Sequence, residues 1–296
     1  MVINIIRYSG LFYFIKNYLV YNKITIVLYH NPKPEDFEKH IRFLDKHYSF
    51  ISMDTVVEAI RQKDWSKIKK NSISITFDDG HAGNFQLLDI IKRYKINPTI
   101  YCCSDIIGTN RHFWWKETET KILQSLKNIP NKSRLAILKN KYNYLNVRQY
   151  NSRQSLSINE IQSLINHVSI GSHTRFHPIL TCSNNSECED EINTSKYHIE
   201  NISNNTCNHF CYPNGDYNEE IVRIVKKAGY NSARTTDVGW NDINSDPFKL
   251  KITGITDDAS INQLIAQLTG VTMYMRYLFA GSLRGKNKTN IPKEKQ

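Results

Sequence analysis

The sequence predicts an α/β protein, a distorted (β/α) barrel carrying a helical insertion. Two observations point there. Short β-rich apolar runs, namely ITIVLY, SISITF, PTIYCC, VSIG, HFCY and YNSART, alternate with longer segments of helical pattern, as in βα units feeding a parallel sheet. Polar residues with chemical potential then gather just after those runs: His30 after ITIVLY, Asp78 and Asp79 after SISITF, His173 after VSIG, and Pro213 to Asp216 after HFCY. In barrels of βα units the C-terminal rim of the strands is where sites are assembled. The 296 residues, 40% of them hydrophobic, are enough for one barrel-sized core.

Between the strand signals, residues 37–48, 82–94, 187–202 and 219–228 read as helices, with Gly229 as C-cap of the last. Residues 109–166, the longest stretch without a strand signal, read as a mainly helical insertion containing Phe113, Trp114 and Trp115. Two tryptophans there can cover a sugar ring or simply pack. The barrel domain is expected over 24–281, preceded by an apolar segment 1–23 and followed by a basic, disordered tail 282–296.

In the N-terminal segment Ile5, Tyr8, Phe12, Ile15 and Leu19 fall on one face of a helical wheel, a stripe that either packs on the domain or lies on a membrane surface; packing is the expectation. Arg7 and Lys16 interrupt it, so it is a poor signal peptide and a poor spanning helix. A cytoplasmic protein, peripheral at the inner membrane, is expected. The six cysteines lack paired C-x-x-C spacing, and Cys102 and Cys103 read as small buried hydrophobes in a reducing compartment. A net charge of +11 favours an anionic partner, but no nucleic-acid motif or basic-aromatic array accompanies it. The residues Arg276, Arg284, Lys286, Lys288, Lys293 and Lys295 place part of that charge near the C-terminus.

Each chemical motif is weak alone. D-D-G is a common polar turn, and one pair of histidines four apart, His173 and His177, is unremarkable among ten. Together, one carboxylate and two imidazoles make a three-ligand set with open positions, the arrangement of a catalytic metal.

The segments TFDDG (76–80) and HTRFHP (173–178) resemble the two leading motifs of the polysaccharide deacetylase family, also called NodB homology or carbohydrate esterase family four. The likeness spans about residues 24–260. It implies a NodB-type barrel that removes an N-acetyl group from an amino sugar in a glycan, with Asp78 as base and Asp79, His173 and His177 holding a divalent metal, usually Zn2+. FCYPNGDYN looks like the groove-wall motif, which assigns substrate contacts to Tyr212, Pro213 and the backbone N–H near Asn214. TTDVGWND resembles a later motif whose Trp240 would line the acetyl pocket. Many family members carry an arginine before the third-motif proline, where Cys211 and Tyr212 stand here, and Lys251 in KLKITGI is the expected substitute partner of Asp78. No histidine follows His209, where the family places its general acid; the N-terminal VLYHNPKPEDF is similar to the Y-H segment of circularly permuted poly-N-acetylglucosamine deacetylases, which makes His30 the acid. An O-acetyl esterase and a decayed glycan-binding domain stand as alternatives. Expected partners are an N-acetylated glycan, a membrane surface or lipid-linked saccharide, and no nucleic acid.

Overall fold

The computed structural model describes residues 10–270. The basic tail expected from 282 onward, together with Ile5 and Tyr8, lies outside them. Among the described residues there are eight parallel strands: β1 Thr25–Tyr29, β2 Ser49–Phe50, β3 Ser72–Phe77, β4 Thr99–Cys102, β5 Ser169–Ser172, β6 His209–Cys211, β7 Ser232–Val238 and β8 Leu250–Gly254. Their order is β1-β8-β7-β6-β5-β4-β3, and β1 pairs again with β3, so seven strands close into a barrel with β2 attached outside on β3. The register Thr25↔Ile73 through Tyr29↔Phe77 aligns β1 and β3 end to end, which sets His30 level with Asp78 at one rim.

The period of two decides which side chains face inward. Ile24 just ahead of β1, Ile26 and Leu28 on β1, and Leu250 and Ile252 on β8 form an interior apolar cluster with Met53, Val56, Val57 and Ile60 of the helix Met53–Gln62. That helix closes the lower mouth: its Asp54 accepts hydrogen bonds from His209 Nε2 at 3.0 Å and from Ser169 at 3.4 Å, where β6 and β5 begin. The outward residues, Val27, Tyr29, Ile73, Ile75, Phe77, Ile170 and Phe210 among them, join the main core beneath the surrounding helices. These helices are Pro34–His47, Leu88–Arg93, Asn185–Ser203, Glu219–Lys227 and Ile261–Leu268. Their starts are locally encoded. Asn184 with Glu187 and Ser260 with Gln263 form capping boxes that satisfy the first free N–H groups of the long helix and the last one.

Between β4 and β5 the chain leaves the barrel and builds a satellite of helices, Thr120–Lys127 and Asn131–Tyr142, around Trp114, Leu126, Leu138 and Tyr144. At the other end, Leu11–Phe14 is α-helical but Ile15–Leu19 is a π-helix. Phe12 and Ile15 are buried as the expected stripe requires, whereas Leu19 is 57% exposed. Bonding from i to i+5 adds a residue per turn, which rotates Leu19 off the stripe. Among the described residues no helix is long and apolar enough to cross a membrane.

Candidate active site at the upper rim

Asp78 and Asp79 follow β3 and meet different partners beside the shared His173: Asp78 lies within 4.8 Å of the Cys211 thiol, Asp79 within 4.8 Å of the His177 ring nitrogen. The N–H of Asp78 still donates to Tyr29 O of β1 at 3.0 Å, holding it at the mouth of the barrel. Asp79 then takes φ 72° and Gly80 φ 73°, so the chain turns sharply. A side chain at position 80 would also meet Cys102 Sγ at 2.8 Å, so both conformation and space require glycine there.

His173 and His177 sit on a loop rather than a helix. Thr174 and His177 adopt φ 67° and 58°, unusual for non-glycine residues and strained for a β-branched one. Surrounding bonds enforce this shape: Thr174 Oγ1 accepts from His177 N at 3.0 Å, and Glu191 Oε2 accepts the N–H groups of Arg175 and Phe176 at 2.8 and 3.1 Å. Trp114 Nε1 donates to His177 O at 3.0 Å. Burial pushes the Glu191 carboxyl up to about 7, the two backbone donors pulling the other way. A folded value above the ordinary 4.5 means the native state holds the proton more tightly. Stability from this group is therefore complete below pH ~4.5 and is lost as pH rises through 7, on the order of 3 kcal/mol in all. Glu191→Gln keeps an acceptor for both N–H groups, so thermal melts from pH 5 to 8 should show wild type losing stability relative to this variant; parallel curves would refute the assignment.

The loop delivers its two imidazoles to Asp79. His173 Nε2 and His177 Nε2 lie 3.7 and 3.8 Å from Asp79 Oδ1, and the three donors are buried within 4.8 Å of one another. His173 Nδ1 is engaged by the carbonyl of Cys211 at 2.8 Å, which leaves Nε2 for the centre. Burial holds the His177 imidazole neutral, well below its ordinary value, with the neighbouring His173 adding to the effect. Burial opposes ionisation of Asp79, but the hydrogen bond and charge of His81, then His177 and His30, hold it well below the usual carboxylate range. An ionised carboxylate with two imidazole nitrogens at 3.7 and 3.8 Å from one of its oxygens, each within the ~4.1 Å that two zinc–ligand bonds can span, fits a divalent cation.

Asp78 has a partner that sequence reading missed. Arg234, inward on β7 and fully buried, donates from Nη2 to Asp78 Oδ1 and lies 2.9 Å from Cys211 Sγ. Burial opposes the guanidinium charge, and Asp78 more than compensates, so Arg234 stays cationic. The signal was available: in YNSART an arginine occupies the inward phase of a buried strand, where an unpaired charge is prohibitive. The role expected of Lys251 is thus taken. Lys251 lies between the inward Leu250 and Ile252, so alternation turns its side chain outward, exposed and alongside Gly239.

Trp240 is also placed elsewhere. Its ring lies against Gly270, beyond the helix Ile261–Leu268, and its neighbour Asn241 pairs with Ile24 ahead of β1. Ile24 is level with the start of β3, about 20 Å down the barrel from Asp78 at ~3.3 Å per residue. The tryptophan at the ligands is Trp115 from the insertion, whose ring centroid is 4.4 Å from that of His177. Tyr212 faces outward, stacked on Tyr217 and bonded to Phe248 O at 3.1 Å, so only its main chain faces the site. Pro213 is buried, and Asn214 turns at φ 58° with its side-chain oxygen accepting from Lys127 Nζ of the insertion at 2.9 Å. His30 stands exposed above β1 on a fixed backbone. Its N–H and that of Asn31 donate to the carboxylate of Asp257 at 3.0 and 2.8 Å, and its carbonyl accepts from Asn84 at 2.8 Å.

Known proteins share this architecture. The fold matches Streptococcus pyogenes deacetylase PplD, solved with acetate, at TM-score 0.62 and 18% identity over 83% of this chain and 97% of that one. It also matches IcaB from Ammonifex degensii at TM-score 0.62 and 14% identity over 84% and 97%, and the Bacillus cereus polysaccharide deacetylase BC0361 at 0.58 and 20% over 83% and 69%. In sequence, Bacillus subtilis (strain 168) YxkH, assigned to the polysaccharide deacetylases, is 24% identical over 229 residues, 73% of this chain and 66% of that protein, just under two thirds of its length. The polysaccharide deacetylase profile matches residues 66–233, more than half the chain and including every donor of the Asp79 cluster, and the protein belongs to the polysaccharide deacetylase family.

Proposed function

We propose that the protein is a metal-dependent hydrolase that removes N-acetyl groups from amino sugars of a glycan, with zinc held by Asp79, His173 and His177. The observation that carries this reading is the convergence, at one buried rim, of that donor set with an Asp78 fixed by Arg234. The acetate bound by PplD, a product of such a reaction, supports it.

Polarisation of the acetyl carbonyl and acidification of a water are the chemistry a bound zinc ion supplies. Asp78 accepts the proton of that water, and Arg234 keeps its carboxylate in one orientation. The backbone at Asn214, bent by its left-handed turn, is the proposed donor to the oxyanion that develops on the carbonyl oxygen. Trp115 backs the site and shields it from bulk water. His30, its backbone clamped through Asp257 and Asn84, gives a proton to the departing nitrogen.

His30→Ala is expected to keep zinc content at the wild-type level and to lower kcat about 10²–10⁴-fold, since His30 lies outside the donor cluster. Steady-state kinetics with metal analysis checks this; unchanged turnover would remove His30 from the mechanism. The function itself is tested by acetate and free amine released from a panel of N-acetylated oligosaccharides. Acetate without new amine, from O-acetylated substrates only, would make the protein an esterase.

A further inference from the structure

The carboxylate of Asp79 has two oxygens, and Oδ1 is the one nearest to the imidazoles of His173 and His177, at 3.7 and 3.8 Å. The other, Oδ2, lies 3.1 Å from His81 Nε2. His81 is buried, and among the described residues it belongs to neither group of side chains whose donor atoms lie mutually within 4.8 Å. It therefore stands behind Asp79 rather than beside the two ligand histidines.

The insertion holds His81 there. The ring of Phe113 meets the ring of His81 edge to face at 4.9 Å. On either side of His81 the main chain is paired to the strap that returns from the insertion: Leu156 N donates to Gly80 O at 2.9 Å, and Ala82 N donates to Gln154 O at 3.0 Å. Trp115, stacked on Phe113 at 4.9 Å, continues the same aromatic wall to His177.

We infer that His81 is a positioning residue for the metal centre: its Nε2–H donates to Asp79 Oδ2, fixes the carboxylate with Oδ1 toward the cation, and couples the helical insertion to metal affinity. The physical basis is that a carboxylate free to rotate about its last bond loses orientational entropy on binding a cation, whereas one already hydrogen-bonded does not. The inference rests on the proposed zinc site, but its test does not rest on turnover.

The test is zinc affinity, measured by competition with a chromophoric chelator, in wild type and in His81→Ala, His81→Gln and Phe113→Leu. Glutamine carries an amide N–H at nearly the reach of Nε2. His81→Ala is expected to bind zinc about 10–100-fold more weakly. His81→Gln should recover to within about threefold of wild type, and Phe113→Leu should fall between. X-ray absorption on the zinc-loaded proteins should count two imidazoles in wild type and in His81→Gln alike. Zinc affinity of a folded His81→Ala within twofold of wild type would overturn the inference, as would three imidazoles in wild type falling to two in His81→Gln, since His81 would then be a direct ligand. Should His81→Ala not fold, the glutamine affinity and imidazole count decide. If all variants bind zinc as expected yet none releases acetate, the proposed function fails and the positioning role stands.

Discussion

Asp78→Asn is expected to lower kcat about 10²–10⁴-fold and, separately, to destabilise the protein by about 3–5 kcal/mol. The two effects have different origins. Asparagine is nearly isosteric but cannot take a proton from water, so the chemical step suffers while the donor cluster of Asp79, His173 and His177 is untouched. The stability loss comes from Arg234. It is fully buried, its Nε has no hydrogen-bond partner, and Asp78 is its anionic partner. Removing one member of a buried pair leaves an uncompensated charge in a low-dielectric interior, whereas removing both does not. The double variant Asp78→Asn/Arg234→Met should therefore recover most of the lost stability and none of the activity. Denaturant melts and acetate release on the single and double variants check both halves. A single variant as stable as wild type would mean that Arg234 is solvated or paired elsewhere.

Asp79→Ala is expected to abolish stoichiometric zinc binding, and with it turnover. Two imidazoles alone offer no anionic charge to offset dehydration of the cation. The loss should be visible without substrate. Zinc at 100 times its dissociation constant stabilises a protein that binds it only when folded by about 2.7 kcal/mol. For a domain of this size that is a rise in Tm of roughly 4–5 °C. Wild type should show the rise on adding zinc and lose it with a chelator, while Asp79→Ala should show neither. A variant that still gains stability from zinc would place the cation elsewhere, with Asp78, His173 and Cys211 the next donor set to examine.

Local signals carried much of the architecture. The apolar runs that feed β1, β3, β4, β5, β6 and β7 are buried from end to end or nearly so, and continuous burial in a parallel barrel makes them stand out as β-branched stretches. The edge of that legibility is β8: in KLKITG the exposed Lys251 stands between buried Leu250 and Ile252, so the strand carries no continuous apolar run. The helix Met53–Gln62 was equally unmarked. Its apolar face plugs the barrel mouth, a destination that no periodicity names. The satellite around Trp114 was visible only as a gap between strand signals.

The residues of the candidate site divide in the same way. Asp78, Asp79, His173 and His177 announce themselves because each pair is adjacent or four apart, and one turn or one loop brings the partners together. Arg234 with Asp78, and Trp115 with His177, are contacts across 156 and 62 positions, created only when β7 closes beside β6 and when the insertion folds back. Lys251 and Trp240 show the opposite error. Both carry the residue type a role required, near the right motif, but strand alternation turns one outward and the register of β1 with β3 leaves the other far down the barrel.

The sequence by itself determined the parallel α/β class, the rim at which polar groups gather, and the identity of the carboxylates and imidazoles there. These follow from periodicity and from the chemistry of neighbouring side chains. Only the tertiary structure decided which cation pairs with Asp78, which tryptophan backs the ligands, and that His81 stands behind Asp79. Those choices depend on barrel closure and on the direction each strand residue faces, and a one-residue change of phase reverses them without altering the composition of any motif.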